Sequence, residues 1–458
     1  MTISERYFVN ENTDIKGVMS VIDRNSIRMA IVADAQRTLI GVVTDGDIRR
    51  AILRGFSIHD PISMILNKNP FFATVDTPTQ VLFEQFRKER YFGIPVVDEN
   101  RRVIDLAFPD SGSFSFLSKS VKKSRPMEKI LVIGGGGYIG STLVRRLLKQ
   151  NYAVRVLDKF LYGEQSLVDL RDNPKLEIVS GDTRHLEELS QCIQDVDAVV
   201  HLAELVGDHA CSLNTKVTQD INYLATFLVA SVCKHYQVNR LVYTSSCSVY
   251  GGSEGTALLS EHSDLNPISL YAKMKVNSEQ ALLSMADENF APTILRLATV
   301  YGWSNRPRFD LVVNTLTAKA LQEGKITIFG GDQWRPNVHV ADVAKAILLV
   351  LEAPFETVAN QTFNVGSEDQ NYTITQLGNL IKEQIPTATL TISSEVHDKR
   401  NYRVAFSKIR DKLNFKPDFQ IIDAVAEISK AFQENKVGDY LNSVYHNHKF
   451  LQKELPQN

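Results

Sequence analysis

The sequence predicts an α/β chain in which a doubly wound parallel sheet follows a smaller α+β unit built from two copies of one motif. Three observations predict it. A glycine-rich turn joins an apolar strand to a helix near residue 135, apolar strands and amphipathic helices keep alternating after it, and the first 112 residues repeat themselves at a fixed offset.

At 458 residues the chain exceeds one ordinary core, which implies two or more domains. A hydrophobic fraction of 43% with 23% charged residues is the composition of a soluble globular protein. The net charge of −2 carries no electrostatic footprint for nucleic acid or a membrane surface. The opening residues MTISERYFVNENTD lack the apolar run of a secretory signal, and no stretch approaches the about 20 apolar residues of a membrane span. Cys192, Cys211, Cys233 and Cys247 show no CxxC spacing; they fit reduced thiols better than a disulfide framework or a metal site. These bounds predict a cytoplasmic protein with no metal, nucleic-acid or membrane partner.

The repeat comes first in the chain. An offset of 64 superimposes Thr13 on Thr77, Val32 on Val96, Asp34 on Asp98, Arg37 on Arg101 and Ile40 on Ile104 without a gap. Each copy reads as a helix, an apolar strand, a polar turn and a second strand, and two such halves must pack on each other to bury their apolar faces. The stretch GVVTDGDIRR at 41–50 resembles the strand-turn-helix of a cystathionine β-synthase (CBS) domain pair, placed here at 1–112. The resemblance implies that Thr44 and Asp47 bind the ribose of an adenine nucleotide. A plain helix cap is the competing role for Thr44 or Asp45. The second copy has Phe108 and Ser111 at the matching positions, so at most one nucleotide site is intact. A Ser- and Lys-rich stretch closed by Pro126 reads as a linker at 113–127.

From Lys129 onward KILVIGGGGYIGSTLVRRLLKQNYAVRVLDK reads as strand, glycine turn, helix and strand. Gly135, Gly137 and Gly140 satisfy a GxGxxG spacing, and Gly134, Gly137 and Gly140 a GxxGxxG one. Glycines let the backbone approach a pyrophosphate, and the helix start at Tyr138 and Ile139 offers free N–H groups to it. Asp158, 18 positions after Gly140, is placed to hydrogen-bond the adenosine ribose and so favours NAD over NADP. The segments LEIVSGD (176–182) and DAVVHLA (197–203) read as further parallel strands, with Asp182 at a strand end where adenine can be met.

The chemistry-bearing pattern follows. LVYTSSCSVYG at 241–251 is a buried strand with a serine-rich end, and 21 residues after Tyr250 comes Tyr271-Ala-Lys-Met-Lys275. Residues four apart share a helix face, so Tyr271 and Lys275 can enter one cleft. An ammonium beside a phenol favours the phenolate, which removes a hydroxyl proton while hydride leaves for nicotinamide. Ser246 orients the same substrate oxygen.

Through GGGGYIG, HLA, SSCSVYG, YAKMK, LRLATVYG and WRPNVHVADVA, residues 128–435 resemble the extended short-chain dehydrogenase/reductases of the nucleotide-sugar branch. The resemblance implies a Rossmann-type sheet with a C-terminal substrate subdomain, and cofactor contacts at Leu202, Ala203, Tyr271 and Lys275. It implies that Arg335 grips the substrate diphosphate, with Asn314, Arg400 and Arg403 as further candidates for the same ligand. Elimination and decarboxylation in this branch require acidic residues directly after the serine, where this chain has Cys247 and Ser248. Cys247 is expected to be a small buried residue rather than an acid/base. The expected reaction is therefore C4 epimerisation through a transient 4-keto sugar, with a C4 dehydrogenase as the alternative and a non-catalytic nucleotide-sensing scaffold as a third.

Segments around LVGDHAC and RFDLVVN also resemble enzymes acting on GDP-heptoses in surface polysaccharide pathways, and Thr299 departs from the galactose 4-epimerases. Such enzymes dimerise, as do CBS pairs, which implies a homodimer or homotetramer. Residues 436–458 read as a last helix or a partner-ordered segment.

Overall fold

The computed structural model describes residues 7–25, 28–78, 81–82, 85, 93–110, 113–116, 127–252, 258–287, 290–395 and 400–454. The chain divides into two compact units, 1–126 and 127–458.

In the first unit the repeat is visible atom by atom. Strands Met29–Ala33 and Leu39–Thr44 form one antiparallel pair, and Ile94–Val97 with Val103–Asp110 forms its counterpart. Both pairs carry their irregularity at equivalent points, Val32/Ala33 and Val96/Val97. The copies then exchange matching hydrogen bonds, Leu39 N–H to Arg101 O and Val103 N–H to Arg37 O, each 2.9 Å. Arg37 and Arg101 both take positive φ, 64° and 57°, in turns organised by the Asp34 and Asp98 carboxylates. Their guanidinium groups cover Phe8 and Phe72, again 64 apart.

The linker is shorter than its composition implies. Ser113–Phe116 is a strand antiparallel to Val103–Asp110. The alternation Ser-Phe-Ser-Phe has the period of a strand, a signal outweighed in the sequence by the Ser/Lys content around it.

In the second unit, seven parallel strands build the sheet. They are β1 (Lys129–Ile133), β2 (Ala153–Asp158), β3 (Leu176–Ser180), β4 (Ala198–His201), β5 (Arg240–Ser246), β6 (Ala291–Leu297) and β7 (Thr362–Val365). Their order is β7-β6-β5-β4-β1-β2-β3, so the winding reverses between β1 and β4. Strands covered on both faces are apolar on both. Ile130, Val132 and Val200 enter one core while Leu131, Ile133 and Val199 enter the other. This is the Rossmann-type sheet the sequence predicts.

The substrate subdomain is built from the pieces between and after the last strands. Helices Val312–Glu323, Ile374–Gln384 and Ile421–Gln433 enclose a separate core with Ile326 and Ile328. The boundary expected at 435 moves toward the C-terminus. Residues 436–454 belong to this unit, and helix Asn447–Glu454 buries Leu451 completely against Leu205, Ala210 and Cys211.

Candidate active site

The crevice outside the carboxyl ends of β1 and β4 is where such a sheet binds ligands. The backbone there leaves no room for side chains. A Cβ on Gly134, whose φ is +87°, would stand 2.7 Å from Ala203 N, and one on Gly140 would stand 2.1 Å from Gly134 O. Both clashes are with backbone, so Gly134 and Gly140 of the GxxGxxG set shape the turn, while the nearest atoms to a Cβ on Gly135 belong to the Val156 side chain. Gly137 caps helix Tyr138–Lys149, leaving the N–H groups of Tyr138 and Ile139 at the turn. The Tyr138 phenol leaves the crevice and donates to Gly302 O (2.7 Å). Leu202 N–H is spent on Ile133 O, which sets Ala203 against Gly134.

Asp158 ends β2 as expected. Its carboxylate accepts from Gly136 N–H (2.8 Å) and Phe160 N–H (2.7 Å), which fixes it beside the turn. Burial pushes its pKa up and these two donors oppose the rise. Asp182 is held by Arg184 (2.7 Å) and Lys159 (3.0 Å), and the Arg184 guanidinium foremost keeps its carboxyl well below the usual carboxylate range.

The helix that carries Tyr271 and Lys275, Leu270–Ser284, is capped by Ser269, whose Oγ accepts from Ala272 N–H (3.2 Å) and donates to Asp208 Oδ1 (2.5 Å). One turn in, Tyr271 and Lys275 share a face, with Lys275 Nζ 5.7 Å from the Tyr271 ring centroid. Lys275 Nζ donates to Thr244 O (2.5 Å) at the end of β5. Ser246, the last residue of that strand, accepts from Ser248 N–H (3.1 Å) and from Ser248 Oγ (2.9 Å). Burial raises the Tyr271 pKa well above its ordinary value, and the Ser246 hydroxyl draws it down.

The expected diphosphate ligands separate in the structure. Arg335 is buried and donates to the carbonyls of Trp334 and Arg400. Arg400 pairs with Asp208 (2.7 Å), the residue that also holds Ser269, and so links the subdomain to the start of the Tyr271 helix. Arg403 stacks over Trp334. Asn314 is buried at 2% exposure, and its amide pairs with Gly302 N–H, Gly302 O and Arg308 O, which braces the 302–308 segment. Cys247 is buried as expected and its thiol meets Arg296 O. Burial pushes that thiol up, which fits a packing residue.

In the first unit, Thr44 and Asp47 form a reciprocal cap on helix Asp45–Leu53. Thr44 Oγ1 donates to Asp47 Oδ2 (2.6 Å), and Arg50 holds the other oxygen (2.5 Å). The helix-cap role is therefore real. Ser111 lies outside the described residues.

Sequence reasoning missed Glu204. It lies three residues after the end of β4, its carboxylate lies 2.6 Å from Lys275 Nζ, and it accepts from the Tyr243 phenol at 2.6 Å. In HLAEL it reads as an ordinary loop residue, and only the sheet order brings β4 beside β5. A buried layer beneath the site was missed for the same reason. There Arg296 pairs with Glu279 (2.7 Å) and donates to the Tyr250 phenol (3.0 Å).

Residues 130–366 match the NAD dependent epimerase/dehydratase family. This chain belongs to that family. Residues 3–54 and 62–106 match the CBS domain. A putative UDP-glucose 4-epimerase of Methanocaldococcus jannaschii is 29% identical over 312 residues, 67% of this chain and 99% of that protein. UDP-glucuronic acid decarboxylase 1 of Arabidopsis thaliana is 26% identical over 317 residues, covering 67% and 70%. The solved UDP-glucuronic acid 4-epimerase of Bacillus cereus, in complex with UDP-glucuronic acid and NAD, superposes with a TM-score of 0.61 at 25% identity, over 67% of this chain and 99% of that one. The family's cofactor fits the residues present. Side-chain-free backbone at Gly134 and Gly140, open helix N–H groups and a fixed carboxylate at Asp158 are what a dinucleotide requires. Among the described residues no helix is long and apolar enough to cross a membrane.

Proposed function

We propose that the chain interconverts C4 epimers of a nucleotide sugar through a transient 4-keto sugar, in the making of surface polysaccharide. The observation that carries this reading is Tyr271, Lys275 and Ser246 meeting at the β5 end while the two residues after Ser246 are uncharged and accounted for by packing and hydrogen bonding. Bound NAD supplies the hydride acceptor and donor. The protein's part is proton handling and orientation. Tyr271 takes the proton of the sugar hydroxyl, becoming a phenol, and gives it back when the carbonyl is reduced on its other face. Lys275 lends positive charge to the phenolate, and Ser246 donates to the substrate oxygen as it becomes a carbonyl. Arg335, Arg400 and Arg403 are read as candidates for the substrate diphosphate, a ligand that guanidinium groups suit, and Arg400 reaches the start of the Tyr271 helix through Asp208.

Named relatives of the family include 4-epimerases as well as a decarboxylase. Lacking a carboxylate next to Ser246, this chain fits the first group. A net C4 dehydrogenase remains the second reading, because the same three residues serve it. The CBS pair is read as an adenine-nucleotide sensor or assembly module. A panel of UDP-, GDP-, CDP- and dTDP-sugars, followed by NMR and by cofactor absorbance together, tests the reading. A C4 epimer without reduced cofactor is the expected result, and a keto product with stoichiometric reduced cofactor would establish the dehydrogenase.

A further inference from the structure

A site that relies on lysine to make a tyrosine basic has reason to leave that lysine uncompensated. Here it is compensated. The Lys275 side chain is 4% exposed and that of Glu204 2%, with 2.6 Å between ammonium and carboxylate. Glu204 is anchored a second time by the Tyr243 phenol, and Tyr243 lies under Lys275 with 4.8 Å from Nζ to the ring centroid. The lysine is thus clamped between the ends of β4 and β5. At this depth the charge pair acts at short range with partial screening.

We propose that Glu204 is a positioning residue that acts through Lys275, clamping it between the strands and cancelling part of its field at Tyr271. The inference rests on Tyr271 being the base. The groups that set the local charge are Lys275, Tyr271 and Glu279 from helix Leu270–Ser284, Tyr243 from β5, Asp208 and Cys211 from helix Asp208–Ser212, and His201 on β4 itself. Lys275 is the cation nearest Tyr271 among them, and Glu204 is the carboxylate bound to it. Consistent with this, the Glu204 charge is the second cause, after burial, of the raised Tyr271 pKa.

The consequence is directional. Removing the Glu204 charge leaves Lys275 uncompensated, so the phenolate forms at lower pH. In Glu204→Gln the acid limb of the kcat/KM profile is expected to move down by about one pH unit, for a charge acting across a few ångströms of partly screened interior. On the acid side that is a gain of up to about tenfold relative to the variant's own plateau. Glu204→Asp keeps the charge and is expected to keep the parent midpoint, whatever its plateau. A cofactor-free readout runs in parallel: phenolate absorbance against pH, with each protein compared with its own Tyr271→Phe derivative. The Tyr271 transition should move down in Glu204→Gln alone. Should Glu204→Gln not fold, Glu204→Met, which removes the charge at similar side-chain length, should move it in the same direction. An unmoved phenolate transition, or equal shifts in the Gln and Asp variants, would overturn the proposal. Turnover surviving in Tyr271→Phe would instead sink the base assignment, and the phenolate titration would still report on Glu204.

Discussion

His201 and Glu204 stand three residues apart at the exit of β4, and both are fully enclosed ionisable groups. Burial first, then the Lys275 charge, push His201 down to about 3, whereas an unfolded histidine titrates near 6.5. Between those values the unfolded chain binds the extra proton. The contribution to stability is therefore complete above about pH 6.5 and is lost as pH falls through the window, at about 1.4 kcal/mol per pH unit. Denaturant unfolding at pH 6.5 and 5 should show a loss of about 2 kcal/mol in the parent that His201→Asn does not show. Equal losses in the two proteins would remove the assignment. Tyr271→Phe should lower kcat by about 10²–10⁴-fold while leaving bound NAD in place; a loss of NAD with it would point to a binding role.

Legibility at this scale follows sequence distance. Tyr271 and Lys275 lie one helical turn apart and announce themselves. Glu204 meets Lys275 across 71 positions, and nothing local marks it. The backbone partners of Asn314, Gly302 and Arg308, were equally unmarked in the sequence, because they depend on how the 302–308 segment folds back on its helix.

At the scale of elements, the strand-turn-helix of the cofactor crevice is the most constrained. A Cβ at Gly140 would overlap Gly134 O at 2.1 Å, so neither side can yield by rotating a side chain. Gly140→Ala is expected to abolish NAD retention and to cost about 1–3 kcal/mol of stability, measured by cofactor content after purification and by urea unfolding. The last helix, one of the two readings the sequence allowed for 436–458, shows how much a segment with no assigned function can matter. Phe450 meets Tyr162, from the loop after β2, at 4.9 Å between ring centroids. Leu451 packs on Leu205 and Cys211 after β4. Asn447 accepts from Arg306 (2.7 Å), whose Nε is buried without a partner and whose guanidinium covers Tyr162. The helix therefore spans the two loops that border the crevice. Leu451→Asp should speed NAD loss on gel filtration at least severalfold; unchanged retention would make the helix a passive cover. Its sequence carries too few apolar residues to show a face, which is why periodicity did not reveal where it docks. Ser113–Phe116 failed in the opposite way, with a correct local alternation overruled by the composition of its neighbours.

For the whole molecule, the doubly wound parallel character of the sheet and the duplication of the first unit were legible, since each is written as a pattern repeated along the chain, whereas the strand order was not. Assembly is written only as exposed surface. Leu224 and Phe227, 53% and 46% exposed, lie three residues apart on consecutive helical segments of the second unit, a placement suited to helix-to-helix association between copies. Phe227→Glu is expected to reduce the assembly by one step in sedimentation, and an unchanged mass would place the interface elsewhere. If the CBS pair senses adenine nucleotides, ATP, ADP or AMP must alter activity or assembly size, and Thr44→Ala must weaken that response. No effect from any of them would leave the unit a dimerisation module.

The central claim is that hydride returns to the sugar it left. The most direct measurement uses the nucleotide sugar identified from the panel, carrying deuterium at C4, with the product read by NMR. An epimerase predicts an inverted C4 that retains its deuterium, with no reduced cofactor released. Deuterium lost from the sugar and recovered in released reduced cofactor would contradict the account.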